Sequence, residues 1–198
     1  FYLSGHVFHA YATEVRRFVR QPLAQISPGP HVQCLAGVVA AIRTQMTRRG
    51  KIHLVTLDDA SASLEVTVFA EVIDKHRSLL KVDELLIVFG KVSRDEYSGG
   101  LRLTVERMLD LAGARAEFAR SLRLELNGQA DALRLKKALG LFHAPEGEQG
   151  CPVVIQYHNG NASCELKLPP QCRVRPDDAL IALIQNEFQG SQAEVVYN

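Results

Sequence analysis

None of the four cysteines, Cys34, Cys151, Cys164 and Cys172, stands at the short paired spacing of a zinc site. A chain of 198 residues does not need disulfides to fold, so a reduced, cytoplasmic compartment is the default. Long apolar runs are missing too, and with them any membrane-spanning segment. Residues 1–8 are not preceded by a basic region and are too short for a signal peptide. Beginning at Phe1, the chain reads as a fragment of a longer protein. There is no glycine-rich phosphate loop, no nucleophile elbow and no HExxH sequence, which argues against a self-contained enzyme. An excess of charge is also lacking: 23 Lys and Arg stand against 22 Asp and Glu, so no basic tail exists to bind nucleic acid by bulk attraction.

What is present is an ordinary globular composition, 46% apolar with a mean hydropathy of −0.04, in which charge is placed locally. Residues 43–57 hold Arg43, Arg48, Arg49 and Lys51 and no acid. Around this basic stretch, read as a loop over 43–51, lie five apolar runs of strand length, 35–42, 52–57, 64–69, 85–92 and 101–109. They are rich in Val, Ile, Leu and Thr and bounded by Gly, Asp and Ser turn signals. Residues 70–80 instead carry Val72, Ile73, His76, Leu79 and Leu80 at helical spacing. Three strands, a helix and two strands give the order of an OB-fold, a five-stranded Greek-key barrel whose second and third strands and flanking loops commonly bind nucleic acid.

Parity is clear on the third run, where Leu64, Val66 and Val68 form the inward set. In the second run both faces are apolar, so either Leu54 or Val55 could point inward. Gly37 suggests a bulge or bend in the first strand. Residues 95–100 form a loop between the last two strands, with Gly99 and Gly100 allowing positive φ. Ahead of the barrel, a short helix over 11–19 leads into a linker stiffened by Pro22, Pro28 and Pro30.

Past Leu111 the pattern changes to strands at 121–126, 153–157 and 163–168, helices at 130–141 and 178–188, and a last strand at 195–197. Val174 could begin another strand, and the run Pro176-Asp177-Asp178 caps the second of these helices. The organisation expected is therefore a helix and linker over 1–33, an OB-fold over 34–112 and a small α+β domain over 113–198.

Each candidate site residue has a plain alternative. Arg43, Arg48, Arg49 and Lys51 could be a solvated hairpin, but a loop joining strands one and two borders the groove of an OB-fold and suits phosphate contact, as does Arg102. Phe69 and Tyr97 could stack bases, or in the case of Phe69 pack at the edge of the core. The pair Asp58-Asp59 reads as a turn rather than a metal site. His6 and His9 read as surface residues, with no acidic or cysteine partner nearby in sequence.

Several stretches together carry a resemblance. They are Tyr2-Leu3-Ser4-Gly5-His6, Lys51-Ile52-His53-Leu54-Val55-Thr56-Leu57-Asp58-Asp59, Leu64-Glu65-Val66-Thr67-Val68-Phe69, Gly99-Gly100-Leu101-Arg102-Leu103 and Val174-Arg175-Pro176-Asp177-Asp178-Ala179-Leu180. The chain closely resembles the C-terminal region of the bacterial replicative DNA polymerase III alpha subunit. Val7 stands where that family often has proline, and Leu54 where many relatives have phenylalanine. The resemblance implies that magnesium-binding catalytic acids, the palm and fingers and the segment that contacts the sliding clamp all lie upstream of Phe1. This stretch would then have no catalytic residue, metal or cofactor of its own. It further implies a barrel that binds single-stranded template and a final domain that binds the clamp loader's tau subunit. That contact would lie along the last helix, with Asp178, Ile181 and Phe188, or at the tail Val195, Val196 and Tyr197. The tail could equally close the domain's own sheet. A module that binds only proteins is the competing reading, and an anticodon-type OB-fold of a tRNA synthetase is a third, opposed by the α+β domain.

Overall fold

The barrel closes because β1 is long enough to pair on both sides. In the computed structural model, which describes residues 6–48, 50–95, 99–128, 130–145, 147–160, 162–188 and 190–198, β1 runs over Val32–Thr47. Its first half pairs with β4 (Leu85–Arg94) and its second half with β2 (Gly50–Asp58). The remaining members are β3 (Ser63–Phe69) and β5 (Leu101–Leu109), and the strand order is β1-β2-β3-β5-β4. The β3–β5 pair is parallel and seals the barrel. This is the OB-fold order, with helix α2 (Ala70–His76) between β3 and β4.

Inside, Leu64, Val66 and Val68 form the inward set of β3, joined by Val55, Leu57, Leu103 and Val105. Burying each such side chain contributes about 1.5–3 kcal/mol. Val55 is fully buried, which settles the parity of β2 and turns Leu54 outward. The irregularity in β1 falls between Val39 and Ala41 instead of at Gly37. Gly37 serves a close approach: a Cβ there would come within 3.0 Å of the Asp58 amide nitrogen. Gly90 is tighter still, since its Cβ would overlap the Thr104 carbonyl beside the register shift of β4 against β5.

The anticipated long basic loop is also shorter than its composition suggests. β1 continues to Thr47 opposite Gly50, because cross-strand pairing carries the polar residues 43–47 as far as the hairpin turn. The first helix, α1, is His9–Val15 and ends sooner than 19. Val15, Val19, Leu23 and Ile26 are buried, and the Leu23 amide donates to the Asp59 carboxylate at 2.8 Å, fastening the proline-rich segment to the β2–β3 turn. His6 has an acidic partner after all, its Nε2 lying 2.9 Å from Asp58 Oδ1.

The chain divides into two units, Phe1–Asp110 and Leu111–Asn198. The second has α3 (Leu111–Phe118), β6 (Ser121–Asn127), α4 (Ala132–Leu141), β7 (Val153–Asn159), β8 (Ala162–Lys167), α5 (Asp178–Glu187) and β9 (Gln192–Val196). Its sheet has the order β8-β7-β6-β9, with β6 and β7 parallel across α4. Asp131 caps α4 by accepting from the Leu133 amide at 2.8 Å, and Asp177 caps α5 through the Leu180 amide at 3.0 Å. Leu122, Leu124, Val153, Leu180 and Ile184 make its core. Val174 forms only isolated bridges, to His143 and Cys151. Helix α3 was not apparent from sequence.

Candidate nucleic-acid interface

With the inward set fixed, strand alternation puts the opposite residues on the outer face, where register aligns them in rows. One row crosses the sheet as Arg43, Leu54, Thr67, Thr104 and Lys91. The next runs Ala41, Thr56, Glu65, Arg102 and Ser93, and Gln45, Ile52 and Phe69 align toward the hairpin end. Glu65 is the hub. Its Oε2 accepts from Arg43 Nη2 at 2.7 Å and its Oε1 from Arg102 Nη2 at 3.0 Å. Arg102 also reaches Asp95 Oδ2, at the start of the β4–β5 loop, at 3.3 Å. Two of the expected phosphate-binding arginines are thus brought together on one face, each already paired with acid.

The hairpin turn is different. Arg48 and Lys51 are exposed, and among the described residues neither pairs with a carboxylate. Thr47 Oγ1 donates to the Gly50 carbonyl at 2.8 Å and Gly50 has φ +107°, which holds the turn tight. Nearby His53 lies next to Lys51 and Arg77 in charge terms: burial first, then these two cations, push its pKa down, so it is neutral at pH 7. Phe69, half-buried at the end of β3, lines a cleft of about 400 Å³ with Val72, Lys75, His76 and Thr104. Thr67, in the middle of the outer face, is only 6% exposed and its hydroxyl has no hydrogen-bond partner among the described residues. Arg49 and Tyr97 lie outside the described residues. Sequence reasoning missed Glu65, Asp95 and Thr67; only the register shows that Glu65 sits between the two arginines.

The Asp58-Asp59 pair is a turn. Asp58 Oδ1 accepts from the Ala60 amide, and Asp59 Oδ1 from the amides of Ser61 and Ala62 and from the Ser61 hydroxyl. The Ser63 hydroxyl, with further help from Ala60 and His6, holds the Asp58 carboxyl below the usual range. Among the described residues no group of three His, Cys, Asp or Glu could hold a metal ion. No described helix is long and apolar enough to cross a membrane.

In the second unit the residues expected to contact a partner have mixed placements. Asp178 is exposed, yet its carboxylate is 2.7 Å from the buried Arg115 guanidinium, which also donates to the Pro176 carbonyl at 3.0 Å. Ile181 is half-buried. Phe188 must be withdrawn as a surface contact: it continues the buried stripe of Leu180 and Ile184 on α5, and its ring is 5% exposed in the core with the Arg134 guanidinium 5.9 Å from its centroid. Val195 and Val196 pair with Leu122 and Ser121 of β6, so the tail closes the domain's own sheet, and Tyr197 packs against the same core.

The family of the OB-fold nucleic acid binding domain matches residues 34–111. DNA polymerase III subunit alpha of Pseudomonas aeruginosa is 38% identical over 191 residues, covering 94% of this chain and 16% of the relative. The same subunit of Neisseria meningitidis serogroup A is 40% identical over 187 residues, 93% of this chain and 16% of the relative. Among solved structures, the second OB-fold domain of replication protein A from Methanococcus maripaludis is similar at 20% identity and a TM-score of 0.37, over 46% of this chain and 93% of that one. The barrel order defines an OB-fold, similar over residues 34–111 to the OB-fold nucleic acid binding domain, followed by an α+β unit. Over nearly its whole length, the chain is a homologue of a segment of the DNA polymerase III alpha subunit, spanning about one sixth of the length of these relatives.

Proposed function

We propose that this chain is a non-catalytic part of a replicative DNA polymerase, working in the cytoplasm, whose barrel binds single-stranded template. The observation that supports this best is the hairpin between β1 and β2, where exposed Arg48 and Lys51 have no carboxylate partner among the described residues and the next residue, Ile52, pairs with Phe69, which lines the cleft. Phosphates meet the hairpin cations, a base stacks on Phe69, and Arg43 and Arg102 contribute where phosphate competes with Glu65 for them. Polymerisation itself, with magnesium and the sliding-clamp contact, belongs to the rest of such a polymerase. The α+β unit docks another replisome protein, the clamp loader's tau subunit.

The test is a titration of the chain with an oligothymidylate at several salt concentrations. Replacing Arg48 and Lys51 together with alanine is expected to weaken binding and lower the salt slope by about one to two, near 0.7 for each lost single-strand phosphate contact. A chain that does not bind the oligonucleotide at all has lost this function. The pairing of Arg43 and Arg102 with Glu65 supports a second reading, in which the barrel's face is saturated with its own charges and meets only protein. The same titration separates the two.

A further inference from the structure

The second unit has an apolar groove that its own described residues leave open. Leu135 and Leu139 of α4 form one wall, Ile155 of β7 and Leu168 the other, with Lys136 and Gly140 at the rim and a volume of about 460 Å³. Register explains why it stays open. Ile155 faces Leu166 and Tyr157 faces Cys164, so Leu166 and Cys164 point to the same side of the sheet as the core. Yet Leu166 is 51% exposed and every residue of β8 is exposed, because the helices do not extend over this strand. β8 is also an edge: among the described residues only β7 pairs with it, and its other side presents unpaired backbone N–H and C=O groups.

We propose that the groove and the free edge of β8 together receive one extended segment of a partner protein, added to the sheet as a further strand. Its apolar side chains at every second position enter the groove, and a carboxylate meets Lys136. Three features select this occupant. The open edge supplies main-chain hydrogen bonds, which a docked helix would leave unmade. The exposed Leu166 and Cys164 repeat at the period of two that a neighbouring strand matches. Lys136 has no carboxylate partner among the described residues and α4 contains no acid, so the rim is complementary to a negative charge. The inference rests on the reading that this unit docks a replisome partner, and it names the surface and the chemistry.

The test uses the whole 198-residue chain with the C-terminal domain of the tau subunit, followed by calorimetry and amide hydrogen exchange. Gly140 lines the groove and a Cβ there meets nothing within 4 Å, so Gly140→Phe is designed to obstruct the groove from an open position. Lys136→Glu reverses the rim charge at an exposed position and serves should Gly140→Phe not fold. Each variant is expected to weaken binding about tenfold or more with an unchanged thermal transition, and exchange in residues 163–167 is expected to slow in the wild-type complex. Wild-type affinity in both variants overturns the groove while leaving the docking reading intact. Failure of the wild-type chain to bind removes the docking reading and this inference with it. Weakened binding with no protection of β8 makes the occupant a helix. Self-association that Gly140→Phe abolishes, seen by light scattering, makes it a second copy of this chain; either result overturns the proposal.

Discussion

Glu65 and Arg102 face each other across the parallel pair of β3 and β5, carboxylate to guanidinium at 3.0 Å, and the other carboxylate oxygen holds Arg43 at 2.7 Å. Glu65 therefore competes with phosphate for two cations on the proposed binding face. Glu65→Gln removes the charge and keeps the shape. Among the described residues this leaves Arg43 without a carboxylate and Arg102 with Asp95. The expected result is a severalfold rise in oligonucleotide affinity and a salt slope steeper by about 0.7 for each new phosphate contact. An unchanged slope in a binding chain takes both arginines out of the interface.

Phe69 lies outside the barrel's buried cluster while lining the adjacent cleft. Phe69→Ala is expected to cost about 1–3 kcal/mol of single-strand binding with little change in salt slope, because stacking releases few counterions. A lowered melting temperature with affinity preserved would identify the ring as packing, not stacking.

The Thr67 hydroxyl is buried on that face without a partner among the described residues. An unsatisfied buried polar atom costs about 1–3 kcal/mol, and valine has nearly the same shape. Thr67→Val is expected to raise the barrel's melting temperature, by about 4–8 °C per kcal/mol recovered in a unit of this size. A fall in melting temperature would show that the hydroxyl is satisfied in solution.

Much of the barrel was legible because alternation is a local signal. Leu64, Val66 and Val68 could be placed inside from their own neighbours, and all three are buried. Leu54 and Val55 could not, since both are apolar, and only the pairing of β2 with β1 and β3 decided between them. The site was less legible for the same reason. Arg43 and Glu65 are 22 residues apart and Glu65 and Arg102 are 37 apart, so their cluster exists only once the barrel is closed. In the second unit, α3 has no strong apolar stripe to announce it, although Asp110, of a type favoured at helix starts, precedes it, and its buried residues are Ala114, Arg115 and Ala116. Phe188 reads from sequence as part of the helix that meets a partner, but it follows Leu180 and Ile184 at helical spacing on the face that the core buries.

Asp59 ties the proline-rich segment to the β2–β3 turn, accepting from Leu23, Ser61 and Ala62. Burial pushes its carboxyl up, but hydrogen bonds from Ser61, Leu23 and Ala62 outweigh burial and hold it below the usual value. A folded pKa below the unfolded one, near 3.9, means that protons favour the unfolded chain as pH falls. The stabilisation is complete above the unfolded value and is lost as pH drops through the folded value. Asp59→Ala is expected to cost about 1.5–3 kcal/mol at pH 7, the range for hydrogen bonds to a charged group. The difference from wild type should shrink in melts below about pH 4. A difference that stays constant with pH would mean that the carboxylate charge does not matter to the fold.

Cys151 is fully buried beside β6, and burial pushes its thiol up to about 11, more than the opposing Leu122 amide and Arg173 charge pull it down. Cys164, on the free edge of β8, is exposed. Only thiolate reacts with a disulfide reagent, and at pH 8 a thiol of pKa near 11 is about one part in a thousand ionised even before access is considered. In the folded chain Cys164 is therefore expected to react with Ellman's reagent in the fast phase, and Cys151 only as the second unit opens, at a rate that rises with denaturant. Mass mapping of the modified peptides assigns each phase. Partner binding along β8 should then slow Cys164 while leaving Cys151 unchanged; slowing of Cys151 alone would show that the partner stabilises the unit from another surface.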